Sequence, residues 1–139
     1  MLYFTSLMLC SLTFSNITKE VGAKYGIDAD LLYAIAKVES NLNPKAVGSS
    51  HGEIGLMQLH PKYFPKASFE PRKNVEMAAA YIKKLKTACS FRAAAWITCY
   101  NTGVNHKLKH PLTSKYYKKV MDAYYRRKAS TGQLVSVQN

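Results

Sequence analysis

Glu39 stands at the edge of an apolar helical stripe, and that position makes it the first group to weigh for proton transfer. Leu31, Ala34, Ile35 and Val38 recur at helical spacing over residues 30–40, so they define one buried face. A carboxyl group at the margin of such a face is partly desolvated, which disfavours its charged form and moves its pKa towards the range a general acid needs. Asn43-Pro44 disfavours helical geometry just beyond it, leaving the acid near a helix end that faces a loop. On these residues alone a structural alternative stays open, an edge-of-core Glu paired with Lys37 or with a distant Arg. The search is narrow, because the acids are only Glu20, Asp28, Asp30, Glu39, Glu53, Glu70, Glu76 and Asp122. Asp28 and Asp30 have a sufficient structural role at a helix start, where a side chain can cap and negative charge meets the positive end of the dipole. His51, His60, His106 and His110 show neither helical i, i+4 pairing nor a tight cluster with Cys, which argues against a metal site.

Four short motifs then follow in order: Glu39-Ser40, Asn43-Pro44, Gly55-Leu56-Met57-Gln58 and, some forty residues on, Tyr100-Asn101-Thr102-Gly103. Together they resemble the lytic transglycosylase domain of the goose-lysozyme-like group, over about residues 17–121. The resemblance implies a mainly α, lysozyme-like (goose-type) single domain, with a substrate cleft between the helix carrying Glu39 and residues 55–59. It implies that Glu39 is the single catalytic acid and base. Glu39 would first protonate the glycosidic oxygen between N-acetylmuramic acid and N-acetylglucosamine, then take a proton from the muramyl C6 hydroxyl as a 1,6-anhydro ring closes. No second carboxylate and no cofactor enter that route, an exception to the two-carboxylate rule of glycosidases.

The same resemblance assigns substrate contacts to Ser40, Ser49, Met57, Gln58, Tyr100, Asn101 and Tyr116. Met57 and Gln58 would form the groove floor, with the Gln58 amide offered to an N-acetyl group. Tyr100 and Asn101 would form the wall, and Tyr116 would bring its hydroxyl close to the acid. Counting back from Gly52 makes Ser49 the family's substrate-binding serine, whereas counting forward from Glu39 gives Gly48; Tyr117, next to Tyr116, leaves a similar off-by-one choice. Glu53 departs from the pattern by putting an acid where the family has alanine. A second carboxylate across the sugar could position water and give hydrolysis, and the alternative is a solvent-facing loop acid beside His51.

The elements that must hold these residues can be read in outline. Asn16 is expected to cap a first helix with Ile17, Val21 and Tyr25 on one face, ended by Gly26, and Asp28 to cap the Glu39 helix. A Gly/Ser-rich loop spans residues 44–54, and Pro61 and Pro65 bracket a turn holding Tyr63 and Phe64. Asn74 is expected to cap a helix from Val75 to about Ala88, residues 91–100 to form a nearly all-apolar core helix ended by Gly103, and Thr113 to start a last helix to about Lys128. That last helix interleaves Tyr116, Tyr117, Tyr124 and Tyr125 with Lys118, Lys119, Arg126 and Arg127. Such a mixture suits either nucleic-acid stacking or a packing helix with a wet basic side.

At 139 residues the chain suits one catalytic domain, residues 16–128, flanked by an apolar arm at 1–15 and a polar tail at 129–139. The arm lacks charge, is shorter than the roughly 18 residues of a membrane span, and lacks the basic start of a secretory signal. It is expected to stay on the mature protein and pack against its own domain or a partner such as a phage tail or secretion-system protein, with a cleaved signal as the alternative. Cys10 follows Leu9, where a lipoprotein signal would have a small residue, which argues against lipidation. Cys89 and Cys99 are either bridged or two buried thiols. Twenty Lys and Arg against eight Asp and Glu give a net charge of +12, which favours an anionic polymer as partner. The expected partner is peptidoglycan, in the bacterial cell envelope (periplasm), reached by export or by delivery in a phage virion; without zinc-finger, basic-zipper or RNP sequences, nucleic acid is disfavoured.

Overall fold

A computed structural model describes residues 2–90, 93–104 and 111–132, with side chains described from Leu12 onward. Among the described residues, five α-helices carry the fold: α1 Leu2–Tyr25, α2 Ala29–Ser40, α3 Pro71–Ala88, α4 Ala95–Thr102 and α5 Lys115–Ser130, with a 3-10 turn at Pro111–Thr113 ahead of α5. Contacts run α1 to α2, α2 to α5, α5 to α4, α4 to α3 and α3 back to α1, so the helices close a ring around one core. Leu32, Ile35, Ile82, Leu85 and Ile97 fill it, joined by Leu56, Met57 and Leu59 from the long connection between α2 and α3. This is the mainly α, lysozyme-like arrangement expected. Among the described residues, no helix is long and apolar enough to cross a membrane.

Local chemistry explains the helix ends, and several differ from expectation. Asn16 caps nothing: it lies inside α1, which runs unbroken through the expected boundary at residues 15 and 16. Phe14, on the arm side, is buried in the core against Tyr33, ring centroids 5.6 Å apart. Asp28 caps α2 as expected, its carboxylate accepting the Asp30 N–H at 2.8 Å. The cap of α3 is Glu70 rather than Asn74; its carboxylate accepts the N–H groups of Arg72 and Lys73 at 3.0 and 2.8 Å, with Pro71 in the first turn, where a missing N–H costs nothing. Helix α4 begins only at Ala95, after Ala94 in a left-handed conformation, and Gly103 ends it as expected. Residues 91–92 of the expected core helix, the basic loop at 105–110 with His106 and His110, and residues 133–139 of the tail lie outside the described residues. Ser114, one residue past Thr113, caps α5, and that helix continues through Ala129 and Ser130.

Cys89 and Cys99 are bridged, tying the end of α3 to α4 across a Cα separation of 6.8 Å, so the free-thiol alternative is set aside. At the opposite side, Asp30 pairs with Arg127 and Lys128 at 3.3 and 2.9 Å, and Tyr124 donates its hydroxyl to Asp28 at 2.8 Å. Arg127 also lies over the Tyr33 ring and donates to the Ser15 hydroxyl at 2.7 Å. Much of the tyrosine-rich basic helix therefore serves to fasten α5 to α1 and α2.

Candidate active site

Helix α2 stops where Asn41 and Leu42 both adopt left-handed backbone angles, φ 51° and 64°. Their N–H groups return to Lys37 O and Ala36 O, satisfying carbonyls that a helix end leaves open. This turn precedes the expected stop at Asn43-Pro44 and leaves Glu39 in the last helical turn, lining a cleft of about 730 Å³. Tyr116 of α5 donates its hydroxyl to Glu39 Oε1 at 2.5 Å, so the off-by-one choice falls on Tyr116; Tyr117 instead gives its backbone N–H to the Ser114 cap. Burial pushes the Glu39 carboxyl up to about 7, the Tyr116 hydrogen bond opposes that rise and the charge of Glu53 adds to it. Burial and the Glu39 charge in turn hold Tyr116 well above the ordinary tyrosine value, so it remains a donor. Among the described residues, neither Lys37 nor an Arg forms an ion pair with Glu39, so the ion-paired alternative gains no support there.

Six of the other acids have structural employment. Glu20 and Glu76 pair with Arg72 and Lys24 between α1 and α3, Asp122 pairs with Arg126 along α5, Asp28 and Glu70 cap helices, and Asp30 binds Arg127 and Lys128. Only Glu39 and Glu53 line the cleft. Glu53 accepts from the His51 backbone N–H at 3.3 Å and meets the His51 ring at 3.1 Å. Hydrogen bonding from its own backbone N–H and from His51 holds its carboxyl below the usual range, against some desolvation.

The segment opposite α2 is stitched by isolated antiparallel pairings, Val47 with Ile54 and Ile54 with Leu59. Asn74, fully buried on α3, holds it in place. Its amide accepts the Met57 N–H at 2.8 Å and donates to Ile54 O and Ser68 O, each at 2.9 Å. Gly55 sits against that amide with φ 75°, where an added Cβ would come within 2.7 Å of Asn74 Nδ2, so only glycine fits.

The expected substrate contacts divide. Ser49, Gln58, Tyr100 and Asn101 line the cleft with Glu39, as does Gly48. The Gln58 amide nitrogen is already engaged by Gly55 O at 2.9 Å and, more loosely, by Ala46 O and Glu53 O, so it braces the loop rather than standing free for an N-acetyl group. Met57 is not groove floor: its side chain is fully buried in the core, while its carbonyl accepts the Tyr100 hydroxyl at 2.7 Å. Ser40 is absent from the lining and returns its hydroxyl to Ala36 O at 3.1 Å, a helix-internal bond. Unforeseen on the wall are His60, Tyr63, Phe64 and Tyr81. Phe64 meets Tyr81 edge-on at 5.3 Å, and Tyr81 lies 5.9 Å from Tyr100, a run of rings suited to flat sugar faces. Tyr81 falls at helical spacing with the buried Ala78, Ile82 and Leu85, and periodicity does not separate a core face from a cleft wall.

The structure also brings together groups whose spacing in sequence gave no reason to join them. Among the described residues, ligand atoms of His51, Glu53 and His60 all lie within 4.8 Å of one another, a grouping with a carboxylate that neither i, i+4 pairing nor a cluster with Cys covers. The intervening turn, folded back by the Ile54–Leu59 pairing, is responsible.

Helices ringing one core, with a cleft at their side lined by one buried acid, define a lysozyme-like class of domain. Residues 16–121 match the family described as the transglycosylase SLT domain, and the chain belongs to that family. It is similar to the membrane-bound lytic murein transglycosylase C of Photorhabdus laumondii subsp. laumondii, 31% identical over 115 residues that cover 67% of this chain and 32% of that protein. It is also similar to the endo-type membrane-bound lytic murein transglycosylase A of Klebsiella pneumoniae, 34% identical over 85 residues covering 50% of this chain and 41% of that protein. The chain thus spans between 32% and 41% of the length of these relatives.

Proposed function

We propose that this chain is a peptidoglycan lytic transglycosylase that cleaves the bond between N-acetylmuramic acid and N-acetylglucosamine with Glu39 as its one catalytic group. The observation that carries this reading is a cleft-lining carboxyl held near pKa 7 by burial. Protonated, it gives its proton to the glycosidic oxygen as the bond to muramyl C1 breaks. Ionised, it takes the proton of the C6 hydroxyl as that oxygen bonds to C1, so Glu39 is restored and no water is consumed. Tyr116 holds Oε1, leaving the other oxygen for the substrate. A pKa near the working pH serves a group that must both give and accept a proton. Binding of the strand falls to Ser49, Asn101 and the aromatic wall, assisted by the net charge of +12 on an anionic wall polymer.

The site of action in this reading is the bacterial cell envelope, reached by export or as part of a phage virion, secretion or conjugation apparatus, with residues 1–15 as the contact to that apparatus. The bridge between Cys89 and Cys99 suits an oxidising compartment, and the relatives are named membrane-bound murein transglycosylases.

One observation keeps a hydrolytic outcome in play: Glu53 lines the same cleft as Glu39. Digestion of purified wall followed by mass spectrometry separates the two. The transglycosylase reading expects 1,6-anhydro ends, lighter by one water, and activity lower by orders of magnitude in Glu39→Gln. Reducing ends that vanish in Glu53→Gln would make the chain a muramidase. Near-normal wall clearing by Glu39→Gln would overturn both. The nucleic-acid alternative has less to stand on, since Tyr116, Tyr124 and Arg127 are engaged within the fold.

A further inference from the structure

His51, Glu53 and His60 meet because of strand register. In the antiparallel pairing of Ile54 with Leu59, each backbone N–H bonds the other's carbonyl, at 3.0 and 3.1 Å. The next opposed residues outward are Glu53 and His60, which register places a short side-chain reach apart. On its other side Glu53 is paired through Gly48, whose N–H donates to Glu53 O at 2.8 Å. A Cβ at Gly48 would run into the Glu53 carboxylate, so the glycine leaves the seat that this side chain occupies. His51 closes the group, its Nδ1 3.1 Å from Glu53 Oε1 and its ring centroid 5.0 Å from that of His60.

We propose that His51, Glu53 and His60 form a binding site for a divalent transition-metal ion on the wall of the cleft. A tetrahedral ion with bonds of about 2.0–2.2 Å needs donor atoms roughly 3.3 Å apart. The three donors lie within 4.8 Å, with the closest described pair at 3.1 Å, so rotation of side-chain ends suffices to close the shell. Two imidazoles with one carboxylate favour Zn2+ and its neighbours over Mg2+ and Ca2+, which take oxygen donors. Ligation through His60 Nδ1 would give up the Lys62 N–H bond to that atom, a 3.2 Å contact at the surface, and ligation through Nε2 would keep it. Three protein ligands leave a position open for water or for an oxygen of the strand. A bound ion would clamp the Gly48–Glu53 turn to the start of the turn holding Tyr63 and Phe64, fixing two parts of the cleft wall together. This site lies beyond the proposed reaction, whose steps use none of its three residues.

The test is calorimetric titration of Zn2+, Mg2+ and Ca2+ into the full chain at neutral pH. One saturable Zn2+ site is expected, with no comparable heat from Mg2+ or Ca2+. His51→Ala and His60→Ala should each weaken Zn2+ binding at least ~10-fold, as lost metal-site residues do, while Glu39→Gln and the double variant His106→Ala/His110→Ala retain it. His51 is 63% exposed, so its replacement leaves the fold intact. Zn2+ should therefore raise the melting temperature of the wild type but not of the folded His51→Ala protein. Unchanged affinity in His51→Ala and His60→Ala, loss of the site on replacing His106 and His110, or no saturable binding at all would overturn the proposal.

Discussion

A carboxyl that keeps its proton to about pH 7 is a liability to the fold as well as an asset to chemistry. In the unfolded chain Glu39 ionises near 4.5, and in the folded chain near 7, because the native environment favours the neutral form. Below pH 4.5 both states hold the proton and nothing is lost. As pH rises from 4.5 through 7 the unfolded state releases its proton first, so stability declines across that window and levels off above it. The gap between 4.5 and about 7 corresponds to roughly 3 kcal/mol, an upper figure for a partly solvated group. Glu39→Gln keeps an oxygen to accept the Tyr116 hydroxyl and cannot ionise. The variant should thus equal the wild type in urea midpoint at pH 4 and exceed it at pH 8; equal midpoints at both pH values would show that Glu39 is not desolvated. The groups facing Glu39 that bear on this titration are Tyr116 from α5, Tyr100 from α4 and Glu53 from the loop.

Between α2 and α3 the chain has no continuous helix or strand, and one side chain does the work that an element would do. Asn74→Ala removes the partner of the Met57 N–H and of two carbonyls in a fully buried place. Stability should fall by about 3 kcal/mol, the scale of buried polar groups left unpaired. Wall cleavage should fall with it, since Gly55 and Gln58 lose their support; a midpoint within error of wild type would refute the bracing role. Periodicity made α2, α3 and α5 legible because each buries one face of a helix. The role of Asn74 was not legible, because asparagine before an apolar run is a common cap and its three partners lie 6 to 20 residues away in sequence. The same limit applied to the cleft. The meeting of Glu39 and Tyr116 was legible from motif order, whereas the burial of the Met57 side chain and the helix-internal bond of Ser40 were not, because a motif position does not say which way a side chain points. Tyr63 and Phe64 carried no signal beyond a turn between prolines, and His60, just ahead of Pro61, none that placed it on the cleft.

For the molecule as a whole, the first helix matters beyond the boundary drawn at residue 16. A chain beginning at Asn16 would lose the buried Phe14 ring and the Ser15 hydroxyl that receives Arg127. The lost apolar burial alone is worth about 2–3 kcal/mol, so the shortened chain should melt at lower temperature and at lower urea than the full one. Equal stability of the two would mean that the arm contributes nothing to the core. The covalent tie at the other end of the ring of helices has a different kind of consequence, one for how such a chain can vary. Cys99 directly precedes Tyr100 and Asn101, and its bridge to Cys89 fixes that point to the end of α3. Insertions or substitutions ahead of Ala95 are then insulated from the cleft, because the register of its two wall residues is set from the anchor and not by the length of chain leading to it.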